Sequence, residues 1–134
     1  MTAYKLKIVT PDGLLYDGAA EKLIVRTVGG EVCILANHID YVAPLGMGRA
    51  VVENGGIRRT AACIGGMLRV GKGEVTLVPT TFEWADQIDL DRAEQAYQKA
   101  DAILRNKESS DTDLRLAEAK LRRALVRKSV ASAK

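Results

Sequence analysis

The strongest constraint on this chain is a change of hydrophobic period near residue 88. Before it, short runs alternate apolar and polar residues between glycine-rich turns; after it, apolar residues recur every three or four positions. Alternation puts side chains on opposite faces of a strand, whereas a period near 3.6 puts them on one face of a helix. The chain therefore reads as an all-β part, residues 1–87, and a helical part, residues 88–134. The expected class is α+β, an antiparallel β-sandwich followed by an antiparallel two-helix hairpin.

In YKLKIVT, Tyr4, Leu6 and Ile8 share one face and Lys5 and Lys7 the other. The PDG at 11–13, Gly29-Gly30, Gly55-Gly56 and Gly71-Lys72-Gly73 separate further runs of this kind, and each is a turn or hairpin signal. Strand signals at a spacing of roughly ten residues fit a sandwich or flattened barrel. In the second part, Ala93, Ala96, Tyr97, Ala100, Ile103 and Leu104 follow a helical stripe. NKESSD (106–111) interrupts it, and Leu114, Ala117, Leu121, Ala124 and Leu125 resume it. Alanine dominates both stripes, so the two helices can approach closely while burying little area. Helices of this length are marginal alone. The expectation is a weakly self-attached hairpin.

Charge is distributed unevenly. The net value is +3, yet residues 1–87 carry nine basic and nine acidic side chains, and residues 115–134 carry seven Lys or Arg against Glu118 alone. A basic second helix calls for an acidic partner. No apolar run is long enough to span a membrane, and the N-terminus lacks the apolar centre of a signal peptide, so a cytoplasmic protein without membrane insertion is expected. Cys33 and Cys63 lie in apolar surroundings and are expected to be buried, reduced thiols. No Cys/His cluster completes a metal site.

The hexapeptide IDLDRA (88–93) carries two readings. As helix chemistry, Asp89 is an N-cap, Asp91 complements the dipole, and Ile88 and Ala93 occupy staple positions. Arg92 is unexplained by capping, since a cation in the first turn is mildly unfavourable. With Arg123 and Arg127, one turn apart on the second helix, it makes a set of guanidiniums suited to a phosphate chain. GMLRVGKG (66–73) approaches the phosphate-binding loop pattern, but Gly73 replaces the hydroxyl residue and the context is strand–turn–strand, so it reads as a hairpin. His38, the single histidine, has no catalytic set around it. No paired-carboxylate motif stands out, and a non-catalytic role is expected. A basic-helix module binding nucleic acid or an acidic protein is the alternative. The C-terminal part lacks aromatic residues for base stacking, because Tyr97 lies on the apolar stripe.

VTPDGLLYDG, GEVCILANHIDYVAPL, CIGGMLRV, IDLDRA and LRRALVRKSVA occur in order along nearly the whole chain. Together they resemble the epsilon subunits of bacterial F-type ATP synthases. The resemblance implies a ten-stranded sandwich at the foot of a rotating stalk, contacting the gamma subunit and the membrane ring of c subunits. It also implies a hairpin that is either compact or extended beside gamma, toward acidic segments of the catalytic beta (and alpha) subunits, where it opposes ATP hydrolysis. The place implied is peripheral, on the cytoplasmic face of the plasma membrane.

In some members ATP binds the compact hairpin as a regulatory ligand, with no metal required. Their I/L-D-x-x-R-A motif is filled by Ile88, Asp89, Arg92 and Ala93. Glu83 matches a position associated with adenine, and Arg123 and Arg127 match second-helix arginines associated with the phosphates. Lys99 stands where such members can carry arginine. Glu31 and His38 are the implied contacts to the c ring. Around His38 the family's usual prolines and glycine are replaced by Ala36, Asn37 and Asp40; Asn37 can still take a left-handed turn conformation.

Overall fold

The computed structural model describes residues 2–132, so the outermost positions of both expected parts lie outside the described residues. Eight strands are followed by two long helices: β1 (Tyr4–Thr10), β2 (Gly13–Ala20), β3 (Lys22–Thr27), β4 (Gly30–Ile34), β5 (Tyr41–Pro44), β6 (Met47–Asn54), β7 (Ile57–Gly71), β8 (Glu74–Trp84), α1 (Leu90–Arg105) and α2 (Asp111–Ser132). The contacts divide the chain into two compact units, Met1–Trp84 and Ala85–Lys134.

In the first unit the strand order is β2-β1-β8-β7-β6-β3-β4, with β5 paired to β7. All ladders are antiparallel except β1 with β8, which is parallel. The two long strands, β7 and β8, each serve both layers. Up to Ile64, β7 pairs with β6; from Met67 onward it pairs with β5. The crossing point is Gly65-Gly66, both with positive φ, where the β7–β8 ladder skips Gly65 opposite Thr80. Core residues switch parity there, from Ala61 and Cys63 to Leu68 and Val70 on β7, and from Val75 and Leu77 to Phe82 and Trp84 on β8. Counted by layer, the eight continuous strands make five segments in each sheet. This accounts for the ten that the family resemblance implies.

Leu6, Ile8, Leu23, Val25, Ile34, Leu68 and Leu77 fill the space between the layers, each fully buried. Burying each such side chain stabilises the fold by roughly 1.5–3 kcal/mol. Trp84 closes one end, in a T-shaped pair with Phe82 and with the Arg59 guanidinium 3.7 Å from its ring centroid. The β6–β7 turn is Gly55-Gly56, with φ of 59° and 79°; this is the conformation of the two-residue hairpin turn that matches strand twist. GMLRVGKG runs strand–turn–strand, with Lys72 and Gly73 in the turn.

The expected burial of both cysteines is corrected in one case. Cys63 is buried and its thiol is pushed up to about 12 by desolvation, but Cys33 is exposed. Along β4 the inward residues are Val32 and Ile34, so Cys33 shares the outer face with Glu31.

In the second unit, α1 and α2 pack as a hairpin joined by residues 106–110. Ser110 caps α2, its Oγ accepting the Asp113 N–H at 3.1 Å. The buried seam is Ala93, Ala100, Ala117 and Ala124, with Tyr97, Leu104 and Leu121 partly buried beside them. Ala96, Ile103 and Leu125, expected on the buried stripes, are exposed. A two-helix seam needs only a narrow strip, and these residues lie at its flanks.

Candidate functional site

On the hairpin, Asp89 is the N-cap of α1. Its φ and ψ are −81° and 99°, and its Oδ1 accepts the Arg92 N–H at 3.0 Å. The Asp89 carbonyl accepts the Ala93 N–H at 3.0 Å, which begins the helical ladder. Ile88 precedes the cap, half-buried, with its N–H directed to the Ala85 carbonyl at 3.4 Å. Ala93 is a seam residue and Arg92, its neighbour, projects into solvent. One carboxylate oxygen satisfies the cap, which leaves Oδ2 with lone pairs to accept from a ligand N–H.

Because the hairpin is antiparallel, the start of α1 and the second half of α2 share its open end. The level is marked by Lys128 Nζ, 2.6 Å from Glu94 Oε2. Arg127 adjoins Lys128, and Arg123 lies one turn away on the same face, both half-buried. The structure thus brings Asp89, Arg92, Arg123 and Arg127 to one end of the hairpin. Arg105 and Arg122 are engaged within their own helices, by Asp101 at 3.1 Å and Glu118 at 2.7 Å. Arg127 has a partner of its own. Lys99 is exposed.

Glu83 lies on β8 in the sandwich, opposite Ala62 in the ladder; it is half-buried and engaged by other groups. Among the described residues no group of three His, Cys, Asp or Glu side chains is placed to hold a metal ion. No helix among them is long and apolar enough to cross a membrane.

Glu31 and His38 sit on separate features of the sandwich. Glu31, on β4, accepts from Arg49 Nε at 3.0 Å and Nη2 at 3.4 Å. That hydrogen bond, and then the Arg49 charge, lower its pKa. His38 follows Asn37, whose φ of 65° is the left-handed turn conformation anticipated for it. Its Nδ1 stands 2.7 Å from the Ile39 carbonyl oxygen; a carbonyl only accepts, so Nδ1 carries the hydrogen. Exposed apolar side chains surround this loop: Leu35, Ile39 and Val42. The β5–β7–β8 registers extend the patch, because Pro44, Met67 and Val78 pair directly and face outward. Exposed apolar side chains so grouped make this side of the sandwich a candidate interaction face.

Residues 3–85 match the family described as "ATP synthase, Delta/Epsilon chain, beta-sandwich domain", and residues 86–132 match "ATP synthase, Delta/Epsilon chain, long alpha-helix domain". The ATP synthase epsilon chain of Bacillus velezensis is 43% identical over 131 residues, covering 98% of both chains. This chain belongs to the ATP synthase epsilon family. The epsilon chain of Ruminococcus albus is 38% identical, with full coverage of both chains. Epsilon chains are non-catalytic subunits of ATP synthase. The epsilon fold recurs at lower identity. A chain in the cryo-EM structure of Euglena gracilis mitochondrial ATP synthase (OSCP/F1/c-ring) aligns with a TM-score of 0.85 at 22% identity, covering all of this chain and 83% of that one. A chain from the central stalk and c-ring of the Tetrahymena thermophila mitochondrial enzyme aligns at 0.66 and 11% identity, with 95% of each covered.

Two groups escaped the sequence reading. The Glu31–Arg49 pair joins residues 18 apart in the chain, and the Glu94–Lys128 pair joins the two helices. The separation of each is set by strand or helix pairing, and no short motif marks it.

Proposed function

We propose that this protein is a rotor subunit of the ATP synthase central stalk, peripheral on the cytoplasmic face of the membrane. In this reading it joins gamma to the c ring through its sandwich and restrains ATP hydrolysis through its hairpin. The observation that carries the reading is the full-length epsilon match, sandwich and hairpin both included. The apolar face of Leu35, Ile39, Val42, Met67 and Val78 supports a stalk interface, with Glu31 and His38 nearest the ring. Because Glu31 is already held by Arg49, its part in such a contact is as a member of an ion pair.

The compact hairpin binds ATP as a regulatory ligand. Arg92, Arg123 and Arg127 meet the phosphates, and their charge makes the contact salt-sensitive. Asp89 Oδ2 accepts from the adenine amino group while Oδ1 keeps the cap. Ile88 and Ala93 give the apolar flank. When extended, the hairpin offers its basic second helix to acidic segments of the beta (and alpha) subunits.

Isothermal titration of the purified chain with ATP tests the ligand. Saturable binding that weakens with salt is expected; no heat up to millimolar ATP would remove the nucleotide from the account. Deleting residues 88–134 tests the restraint: ATPase activity of the assembled enzyme should rise, and an unchanged rate would leave only the coupling role.

A further inference from the structure

We propose that Lys128, Glu94 and Tyr97 form a clasp that sets how often the hairpin opens. Lys128 Nζ on α2 lies 2.6 Å from Glu94 Oε2 and 4.3 Å from the centroid of the Tyr97 ring, both on α1. The carboxylate is oriented beforehand, because Gln98 Nε2 donates to its Oε1 at 2.9 Å. Tyr97 lies one turn along from Glu94, so the ammonium rests between an anion and an aromatic face. Both are attractive partners for a cation.

Position gives this contact its leverage. One end of the hairpin is closed covalently by residues 106–110, so separation of the helices begins at the other end, where Lys128 sits. The fully packed seam between is alanine, at Ala93, Ala100, Ala117 and Ala124, with Tyr97, Leu104 and Leu121 only partly buried beside it, so its contacts hold modest apolar area. Arg105–Asp101 and Arg122–Glu118 lie each within a single helix and hold nothing across the seam. Closure also brings Arg92 on α1 toward Arg123 and Arg127 on α2. Glu94 supplies a carboxylate at that level. The effect on opening stands by itself. Its effect on nucleotide affinity, through the alignment of Arg92 with the α2 arginines, rests on the ATP reading above.

The test is amide hydrogen exchange of the full chain without nucleotide, in wild type, Glu94→Gln, Lys128→Met, the double variant, Tyr97→Phe and Tyr97→Leu. Glu94→Gln and Lys128→Met should each speed exchange of the seam amides by about three- to ten-fold, the scale of a modest ion pair with a cation–π contact. The double variant should add little to either. Tyr97→Phe keeps the ring and should resemble wild type, whereas Tyr97→Leu should speed exchange. Sandwich amides report on folding and should not change. Single variants within two-fold of wild type, or effects that simply multiply in the double variant, would overturn the clasp. An ATP titration of Lys128→Met runs alongside. Absence of ATP binding by wild type would remove the nucleotide reading, while the exchange data would still decide the clasp.

Discussion

A Cβ atom added at Gly66 would stand 2.0 Å from the carbonyl oxygen of Val78. This close approach is where the two long strands pass from one layer of the sandwich to the other, and Gly66 has a φ of +101° there. Gly66→Ala should therefore cost about 2–4 kcal/mol, from the left-handed backbone and the overlap together. Gly55→Ala is the control. Its φ is also positive, but nothing lies within 4 Å, so only the conformational cost of about 1 kcal/mol applies. Urea midpoints of the two variants should differ accordingly; equal midpoints would mean that the crossing relaxes freely.

The hairpin should weaken in acid. The hydrogen bond from Lys128, and then that from Gln98, lower the Glu94 pKa below its ordinary value of 4.5. A carboxyl whose folded pKa is depressed contributes stability above its unfolded pKa and loses it as pH falls through the folded value. Protection of the α1 and α2 amides should thus fall as pH drops below about 4.5, and Glu94→Gln should flatten that step. Exchange protection corrected for the intrinsic pH dependence measures both.

Asp89 has two roles that substitution can separate. Asp89→Ala removes the cap, costing about 1 kcal/mol of hairpin stability, and removes the carboxylate proposed for adenine. Asp89→Ser keeps a capping oxygen and loses the anion. ATP affinity should fall in both variants while α1 helicity falls only in the first. If Asp89→Ser binds ATP as wild type does, the carboxylate acts as a cap alone. Arg123→Ala should also lower affinity and reduce its dependence on ionic strength.

The alanine seam cannot accept bulk. Ala124 is fully buried, and Ala124→Leu should force the helices apart with the sandwich left intact. Leu77→Ala, in the fully buried sandwich core, should do the reverse and cost about 2–5 kcal/mol of sandwich stability. Residue-resolved exchange distinguishes the two patterns.

The two cysteines should react at very different rates. Cys33 is exposed on the outer face of β4, whereas the Cys63 thiol is buried and pushed up to about 12, so little thiolate forms near neutral pH. A thiol reagent should modify Cys33 in the native chain and Cys63 only after denaturant is added, with mass spectrometry locating the adduct.

Much of the fold was legible because its signals are local. The turns at Gly55-Gly56 and Lys72-Gly73 and the Asp89 cap depend on residues a few positions apart, and each appears in the sequence as a short pattern. Cys33 was misread although the same alternation places it beside Glu31; its apolar neighbours outweighed its parity. Ala96, Ile103 and Leu125 were misread because a helical stripe gives a face and not the width of the surface it will meet. The candidate ligand residues were readable as a motif on α1 and as spaced arginines on α2, while their shared end of the hairpin follows from the packing.

By itself, then, the sequence determined the switch from strand to helix, the turns, the helix starts and the alanine character of the seam. All of these are consequences of periodicity and backbone preference over a few residues. Only the tertiary structure decided that β1 runs parallel to β8, that β7 and β8 cross between layers at Gly65-Gly66, that Arg49 holds Glu31, and that Lys128 reaches Glu94 and Tyr97. These contacts join residues brought close by chain closure and register, which are set by the burial of the whole core and carry no local signature.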